Sequence, residues 1–172
     1  MSGRPWLAAT ATLAGPMTKL AANTLAVLLA SVAVAACATP AATGPATVTL
    51  TDDGCSRSGP ETLPTGSTTI AVQNESGGLG NFEMLRLDGS FVELVAYVAE
   101  EQARIATGQP PLGTPASVTE VGRLLLSPMG TGALEATLTA GTYAIVCAQL
   151  TASEDVVLNL FLVGPYSATD SR

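Results

Sequence analysis

Short alternating segments, separated by Gly, Pro, Asn and Asp, constrain the fold of this chain more than any other feature of its sequence. They are rich in β-branched residues, and apolar and polar positions alternate along them with a period of two. Such segments cover Thr47–Thr51, Ser67–Asn74, Asn81–Leu87, Val118–Leu126 and a run over 132–150 that contains two strands joined at Ala140-Gly141. Many short strands with turn signals between them predict an all-β protein, an antiparallel sandwich or a Greek-key barrel.

The last predicted strand, Val156–Val163, differs from the others because it is apolar at alternate and intervening positions alike. A strand that is apolar on both faces is typical of the centre of a sheet. We therefore expect it to be central, and we expect residues 164–172 to be a polar tail.

One segment, residues 90–107, breaks the β pattern. Ser90 and Glu93 have the spacing of a capping box, in which each side chain hydrogen-bonds the backbone of the other. The apolar residues that follow recur at helical spacing, and Gly108 with the next two prolines ends the run. The sequence predicts a single helix inserted among the strands.

The first 37 residues contain no acidic residue, and their only charges are Arg4 and Lys19. A positive start, an apolar stretch and small residues before a break are typical of a secretory signal. We expect residues 1–36 to be a signal peptide with a signal helix, and translation from Met17 would give a more compact one.

The segment ends in Val34-Ala35-Ala36-Cys37, which resembles the signal of bacterial lipoproteins. In that signal the cysteine thiol is alkylated by a diacylglyceryl group, and small preceding residues fit the peptidase that cuts there. We predict lipidation of Cys37, followed by a flexible tether over 37–47, rich in Ala, Pro, Gly and Thr. An ordinary signal peptide, a retained transmembrane helix and an incidental cysteine are the alternatives.

The composition excludes several classes of function. After Cys37 the chain has five arginines against fourteen acidic residues, which argues against binding nucleic acid. It contains no histidine, and Lys19 is its only lysine, so the usual His-based triads, His-based zinc sites and serine–lysine pairs are missing. We expect no enzyme; a catalytic carboxylate pair is the one chemistry that counting leaves open.

The two remaining cysteines, Cys55 and Cys147, form an even pair in an oxidising compartment, which predicts a disulfide. The rival is a metal site in which the two thiolates bind Cu(I) or iron together with Met84 or Met129 and with the carboxylate of Glu83. Each of these has a simpler interpretation, the methionines as core residues and Glu83 as part of a solvated strand face. Asp52 and Asp53 can likewise be ligands or a turn.

The order "VTLTDDGCS", "IAVQN", "NFEMLRL" and "LTAGTYAIVC" resembles the cupredoxin-like domains of bacterial extracytoplasmic proteins, including the periplasmic iron-uptake (EfeO) type. The resemblance implies a Greek-key β-sandwich over residues 48–163. It also implies that Cys55, Glu83 and Cys147 match positions that bind metal or form a disulfide. It does not extend to a blue-copper site, which needs two imidazoles beside a thiolate.

Together these patterns predict a lipid-anchored, extracytoplasmic, non-catalytic protein that binds a partner or a small ligand at the cell envelope. Its expected partners are the membrane, through the lipid on Cys37, and an envelope protein or small ligand; no cofactor is expected. The alternative is a copper- or iron-handling protein that uses Cys55, Cys147, Glu83 and Met84.

Overall fold

The computed structural model of the protein describes residues 44–153 and 156–170. The predicted signal peptide, Cys37 and most of the predicted tether lie outside the described residues. The strands are β1 (Thr47–Leu50), β2 (Cys55–Ser58), β3 (Thr62–Pro64), β4 (Gly66–Asn74), β5 (Leu79–Leu87), β6 (Val118–Leu126), β7 (Thr131–Leu138), β8 (Gly141–Leu150) and β9 (Val157–Thr169), and the helix is α1 (Phe91–Ala106).

The strands form two sheets that face each other. The first has the order β2-β1-β4-β7 and the second the order β3-β9-β8-β5-β6. The pairs β1–β4 and β3–β9 are parallel, and the other pairs are antiparallel. Two sheets with one inserted helix confirm the predicted all-β sandwich.

The core between the sheets follows from the alternation along each strand. In β1, Val48 and Leu50 are fully buried while the threonines between them are not. The same alternation buries Phe82 and Met84 of β5 and leaves Glu83 half-buried on the opposite face. Burial of each large apolar side chain contributes about 1.5–3 kcal/mol, so this aliphatic core carries much of the stability of the sandwich.

The helix α1 packs on the outer face of the second sheet. Its buried apolar residues, Leu94 and Val98, contact a second apolar cluster that includes Leu85 of β5 and Val146 of β8. The predicted capping box is present: Ser90 Oγ accepts from the N–H of Glu93, and the Glu93 carboxylate accepts from the N–H of Ser90. The predicted helix, residues 90–107, is therefore confirmed together with its first turn.

The final strand corrects two expectations from the sequence. β9 continues to Thr169, and Tyr166 and Ala168 are buried on the sandwich core, so residues 164–169 are strand and not a polar tail. The strand is also not central along its first half, because over Val157–Val163 it pairs with β8 alone. Both faces are apolar there because one faces the sandwich core and the other faces α1.

The strands β2 and β3 were not predicted, and they decide the shape of one side of the sandwich. β2 pairs with β1 in the first sheet, whereas β3 pairs with β9 in the second, so the chain crosses between the sheets from Ser58 to Thr62. Both strands are too short for an alternating pattern to be visible in the sequence.

Both apolar clusters and every strand pairing lie within residues 46–169, and Thr39–Arg172 forms one compact unit. The chain from residue 38 onward thus contains the whole core that it needs to fold by itself. Within the described ranges, no helix is both long and apolar enough to cross a membrane.

Candidate functional site

The two cysteines predicted to pair do form a disulfide. Cys55 opens β2, Cys147 lies near the end of β8, and their sulfur atoms are 2.07 Å apart. Cys147 is fully buried, whereas Cys55 is partly exposed. Because a disulfide sulfur is not a thiolate, neither cysteine offers a metal the charged ligand that a Cu(I) or iron site requires.

The other residues of the predicted metal site do not form a ligand set with these sulfur atoms. Met84 is a fully buried core residue. Glu83 lies on the opposite face of β5, where it pairs with Arg123 (2.7 Å) and accepts a hydrogen bond from Asn81 (2.8 Å). Met129 lies in the turn between β6 and β7 and is 73 % exposed. In the part of the chain that the structure describes, no group of three or more His, Cys, Asp or Glu side chains is arranged to hold a metal.

The strand ends beside the disulfide are closed by hydrogen bonds. Asp52 accepts from the N–H of Gly77 (2.9 Å) and from Gln149 Nε2 (2.7 Å), and Gln149 Oε1 accepts from Asn159 Nδ2 (2.7 Å). These hydrogen bonds support the interpretation of Asp52 as a turn residue and not as a metal ligand. These side chains satisfy one another, and they join the β1–β2 and β4–β5 loops to the strands β8 and β9.

Asn74, at the end of β4, is the centre of a second polar cluster at this end. Its side chain is buried, donates to the carbonyls of Gly78 (2.9 Å) and Ser127 (2.9 Å), and accepts from Ser76 Oγ (2.7 Å). The asparagine that ends "IAVQN" thus fixes two loops, and its role is structural.

A groove of about 580 Å³ lies beside α1. We call it the α1–β9 groove. One wall is the helix, the floor is β9, and the opposite wall is the turn that carries Cys55. Its lining residues are Gly54, Cys55, Phe91, Val95, Val98, Ala99, Gln102, Leu160, Phe161, Leu162 and Gly164.

The lining of this groove is apolar and carries no charged side chain. Its one polar side chain, Gln102, is already engaged, because its Oε1 accepts from the N–H of Leu160 (2.6 Å). Val95 remains 45 % exposed at the rim, and the neighbouring Val92 is 75 % exposed. A surface of this kind binds apolar, uncharged groups and cannot orient an ion.

A smaller cavity of about 140 Å³ lies between α1 and the sheet, and its polar groups are structural. Glu101 is buried, and its carboxylate accepts from the N–H of Leu112 (2.9 Å). Tyr97 donates from its hydroxyl to the carbonyl of Gly113, and burial, with the negative charges of Glu101 and Glu100, raises the pKa of Tyr97. Both contacts hold the loop after α1 against the helix.

The sequence carried part of the signal for the groove. Phe91, Val95 and Val98 belong to the apolar stripe that predicts the helix, but periodicity cannot show that this stripe is wider than the sheet surface it covers. The groove also depends on the crossing of the chain between β2 and β3, which the sequence does not reveal.

No protein-family model matches the chain, and no curated protein is significantly similar to it. Solved structures with a similar fold include reduced auracyanin from Roseiflexus castenholzii, at 20 % identity and a TM-score of 0.37, over 73 % of this chain and 99 % of that one. The azurin Az-iso2 from Methylomonas sp. strain J has 11 % identity and a TM-score of 0.39, over 75 % and 100 %. Auracyanin A, a blue copper protein from Chloroflexus aurantiacus, has 18 % identity and a TM-score of 0.36, over 73 % and 100 %. At such low identities and TM-scores, the likeness carries no argument that this chain shares their ligand.

Proposed function

We propose that this chain is a lipid-anchored, extracytoplasmic, non-catalytic protein that binds an apolar partner or ligand in the α1–β9 groove at the cell envelope. The charge pattern and the Val34-Ala35-Ala36-Cys37 sequence support export and anchoring. The Cys55–Cys147 disulfide is consistent with an oxidising compartment.

The observation that carries the proposal is the groove itself. Its volume of about 580 Å³ lies within the range of about 300–1,000 Å³ that is typical of ligand sites. The exposed valines at its rim leave apolar surface in contact with water, and covering such surface is favourable by roughly 25 cal/mol per Å². Its lining holds neither a nucleophile with a base nor a pair of carboxylates, so binding fits it better than catalysis.

The groove is tested with a neutral, polarity-sensitive dye such as Nile red and the unlipidated chain from residue 38. We expect saturable fluorescence enhancement with the native sequence and its loss in Ala99→Trp, because the indole fills the groove from the exposed side of α1. Ala96→Trp is the matched control, since Ala96 is also exposed on α1 but does not line the groove. Equal dye binding by both variants, at equal thermal stability, would contradict the proposal.

The anchor is tested separately, in the full chain expressed in a bacterium. We expect the native chain to incorporate a labelled palmitate analogue and to lose its signal. We expect Cys37→Ser to incorporate no label and to keep the signal, because the peptidase cuts before the modified cysteine. Two or three acyl chains give stable membrane attachment, whereas the tether alone gives none. A native chain that stays in the membrane fraction without label and with its signal uncleaved would instead support a retained transmembrane helix.

The copper or iron alternative has no observation in its favour, since its two cysteines are disulfide-bonded. Met84 is a core residue, and Glu83 pairs with Arg123 on the opposite face of β5. We therefore propose no metal function. Thiol labelling with metal analysis of the native protein decides between the two.

A further inference from the structure

We infer that the α1–β9 groove receives an extended, uncharged segment of another polypeptide, which adds to the free edge of β9 as a further β-strand. This inference rests on the proposed function of the groove and names the class of its ligand. The strand order, the backbone groups of β9 and the distribution of charge over the sheet edges support it.

The position beside β9 is only half filled. On the side away from β8, β3 pairs with β9 over Ser167–Thr169. Over Val157–Val163, no strand of the described part pairs with β9 on that side, because β2 lies there in the other sheet. The floor of the groove is this unpaired stretch, from Leu160 to Gly164. The groove thus continues the line of a strand position that β3 already begins.

The backbone of β9 presents hydrogen-bonding groups to the groove. The N–H of Leu160 points away from β8, since it donates to Gln102 Oε1 of the helix wall. In an antiparallel strand, alternate residues direct both backbone groups to the same side. The carbonyl of Leu160 and both backbone groups of Leu162 therefore face the groove as well. An added strand pairs with these groups, and Gln102 covers the first of them while the groove is empty.

The distribution of charged residues over the sheet edges favours pairing of another strand with this edge of β9. Outer strands usually carry charged side chains that discourage pairing with other chains. Here β2 carries Arg57, β7 carries Glu135 and β6 carries Glu120 and Arg123. The stretch Val157–Val163 of β9 carries no charge and no proline. This edge therefore lacks the charges and prolines that discourage pairing with another chain. The uncharged walls of the groove match an uncharged segment.

Other occupants fit the groove less well. A second copy of this chain has a β9 edge recessed between the same two walls, so two such edges cannot meet. An acyl chain contacts the apolar walls but offers no hydrogen bond to Leu160 or Leu162. The predicted tether before Gly44 contains Pro40, which cannot donate a backbone hydrogen bond.

The test uses the unlipidated chain from residue 38 and an acetylated, amidated peptide of alternating Val and Thr, about six residues long to span the floor at about 3.3 Å per residue. The control peptide has the same sequence with alternate backbone nitrogens methylated, on the edge that would face β9. We expect the first peptide to displace Nile red and to slow hydrogen exchange of the Leu162 amide. The affinity of the methylated peptide should be lower by about tenfold or more, because this peptide lacks one or two of the hydrogen bonds. Ala99→Trp should abolish peptide binding, and Ala96→Trp should not.

The outcomes separate this inference from the proposed function. Equal binding of both peptides, or displacement of the dye by a fatty acid but not by either peptide, overturns strand addition and leaves an apolar site. Peptide binding that appears only in a chain starting at Gly44 overturns the inference by assigning the groove to the tether. Concentration-dependent dimers that exclude the peptide assign it to a second copy. Failure of the dye itself to bind overturns the proposed function.

Discussion

At the scale of single residues, the two fully buried tyrosines, Tyr143 and Tyr166, differ in the hydrogen bonding of their hydroxyl groups. The hydroxyl of Tyr143 donates to the carbonyl of Thr139 (2.8 Å) and accepts from its N–H (3.0 Å). The hydroxyl of Tyr166 is buried without a hydrogen-bond partner among the residues described, and the Arg57 guanidinium carbon lies 5.2 Å from the centre of its ring. Burial raises the pKa of Tyr166, and the charge of Arg57 opposes this in part.

We predict that Tyr143→Phe and Tyr166→Phe differ in their effect on the free energy of unfolding. Tyr143→Phe leaves the N–H and carbonyl of Thr139 without their partner and should cost about 1–3 kcal/mol. Tyr166→Phe removes a hydroxyl that has no partner, retains the ring under Arg57, and should cost little or nothing. Urea denaturation at neutral pH measures both. A large loss in Tyr166→Phe would show that its hydroxyl has a partner after all.

The raised pKa of Tyr166 also predicts that the native chain and Tyr166→Phe differ in stability at alkaline pH. A raised pKa in the folded state means that the stability contribution of Tyr166 is complete below the ordinary tyrosine pKa, and is lost as pH rises through the higher folded value. Tyr166→Phe should therefore lose less stability than the native chain when denaturation is repeated above about pH 10. Parallel pH profiles for the two proteins would contradict this assignment.

At the scale of elements, the first turn of α1 depends on the reciprocal bonds between Ser90 and Glu93. The backbone and side chain of Ser90 both stabilise the Glu93 carboxylate and lower its pKa. We expect Ser90→Ala to lower the free energy of unfolding by about 1 kcal/mol, as for other lost N-caps. Thermal denaturation measures this loss, and Ser90→Thr, which keeps a hydroxyl, should recover most of it.

The same cap contributes to the acid limb of the stability profile. Because the folded pKa of Glu93 is lowered, its contribution is present above the ordinary glutamate pKa and disappears as pH falls through the folded value. Glu93→Gln should flatten this part of the profile. Glu100→Gln removes the same charge from the same helix without touching the cap and is the matched control. Equal flattening in the two variants would contradict the role of the cap.

The elements also show what the sequence could predict and why the rest was beyond it. β6 and the helix were predicted because long periodic segments with clear end signals depend on local interactions. β2 and β3 were missed because three or four residues cannot display a period. The first half of β9 was misplaced at the centre of its sheet, because apolar residues on both faces indicate coverage and not the presence of two neighbouring strands.

The candidate site shows the same division. The pairing of Cys55 with Cys147 follows from counting cysteines, and the structure confirms it. The separation of Glu83 from Cys147 follows from strand register, which places Phe82 opposite Cys147 and Glu83 opposite Val146. The groove depends on the crossing of the chain from β2 in one sheet to β3 in the other, and no local sequence pattern predicts that crossing.

At the scale of the whole molecule, the disulfide joins residues 92 positions apart and ties β2 of the first sheet to β8 of the second. We predict that the double variant Cys55→Ala, Cys147→Ala loses about 4 kcal/mol of unfolding free energy, because the unfolded chain regains the freedom of a long loop. Urea denaturation of the double variant and of the native chain, each with and without reductant, measures the loss. Reductant should destabilise the native chain alone.

Thiol labelling and metal analysis of the native protein then decide between the disulfide and the metal alternative. In the unlipidated chain from residue 38, which lacks Cys37, we expect no labelled cysteine under denaturing conditions without reductant and no stoichiometric copper or iron. Two labelled cysteines with bound metal would contradict the disulfide and restore a thiolate site. The groove tests do not depend on this result, because α1 and β9, which form one wall and the floor of the groove, contain neither cysteine. A protein that bound both a metal and the extended peptide would therefore keep the function proposed for the groove. Only the interpretation of the two cysteines as a disulfide without metal would be wrong.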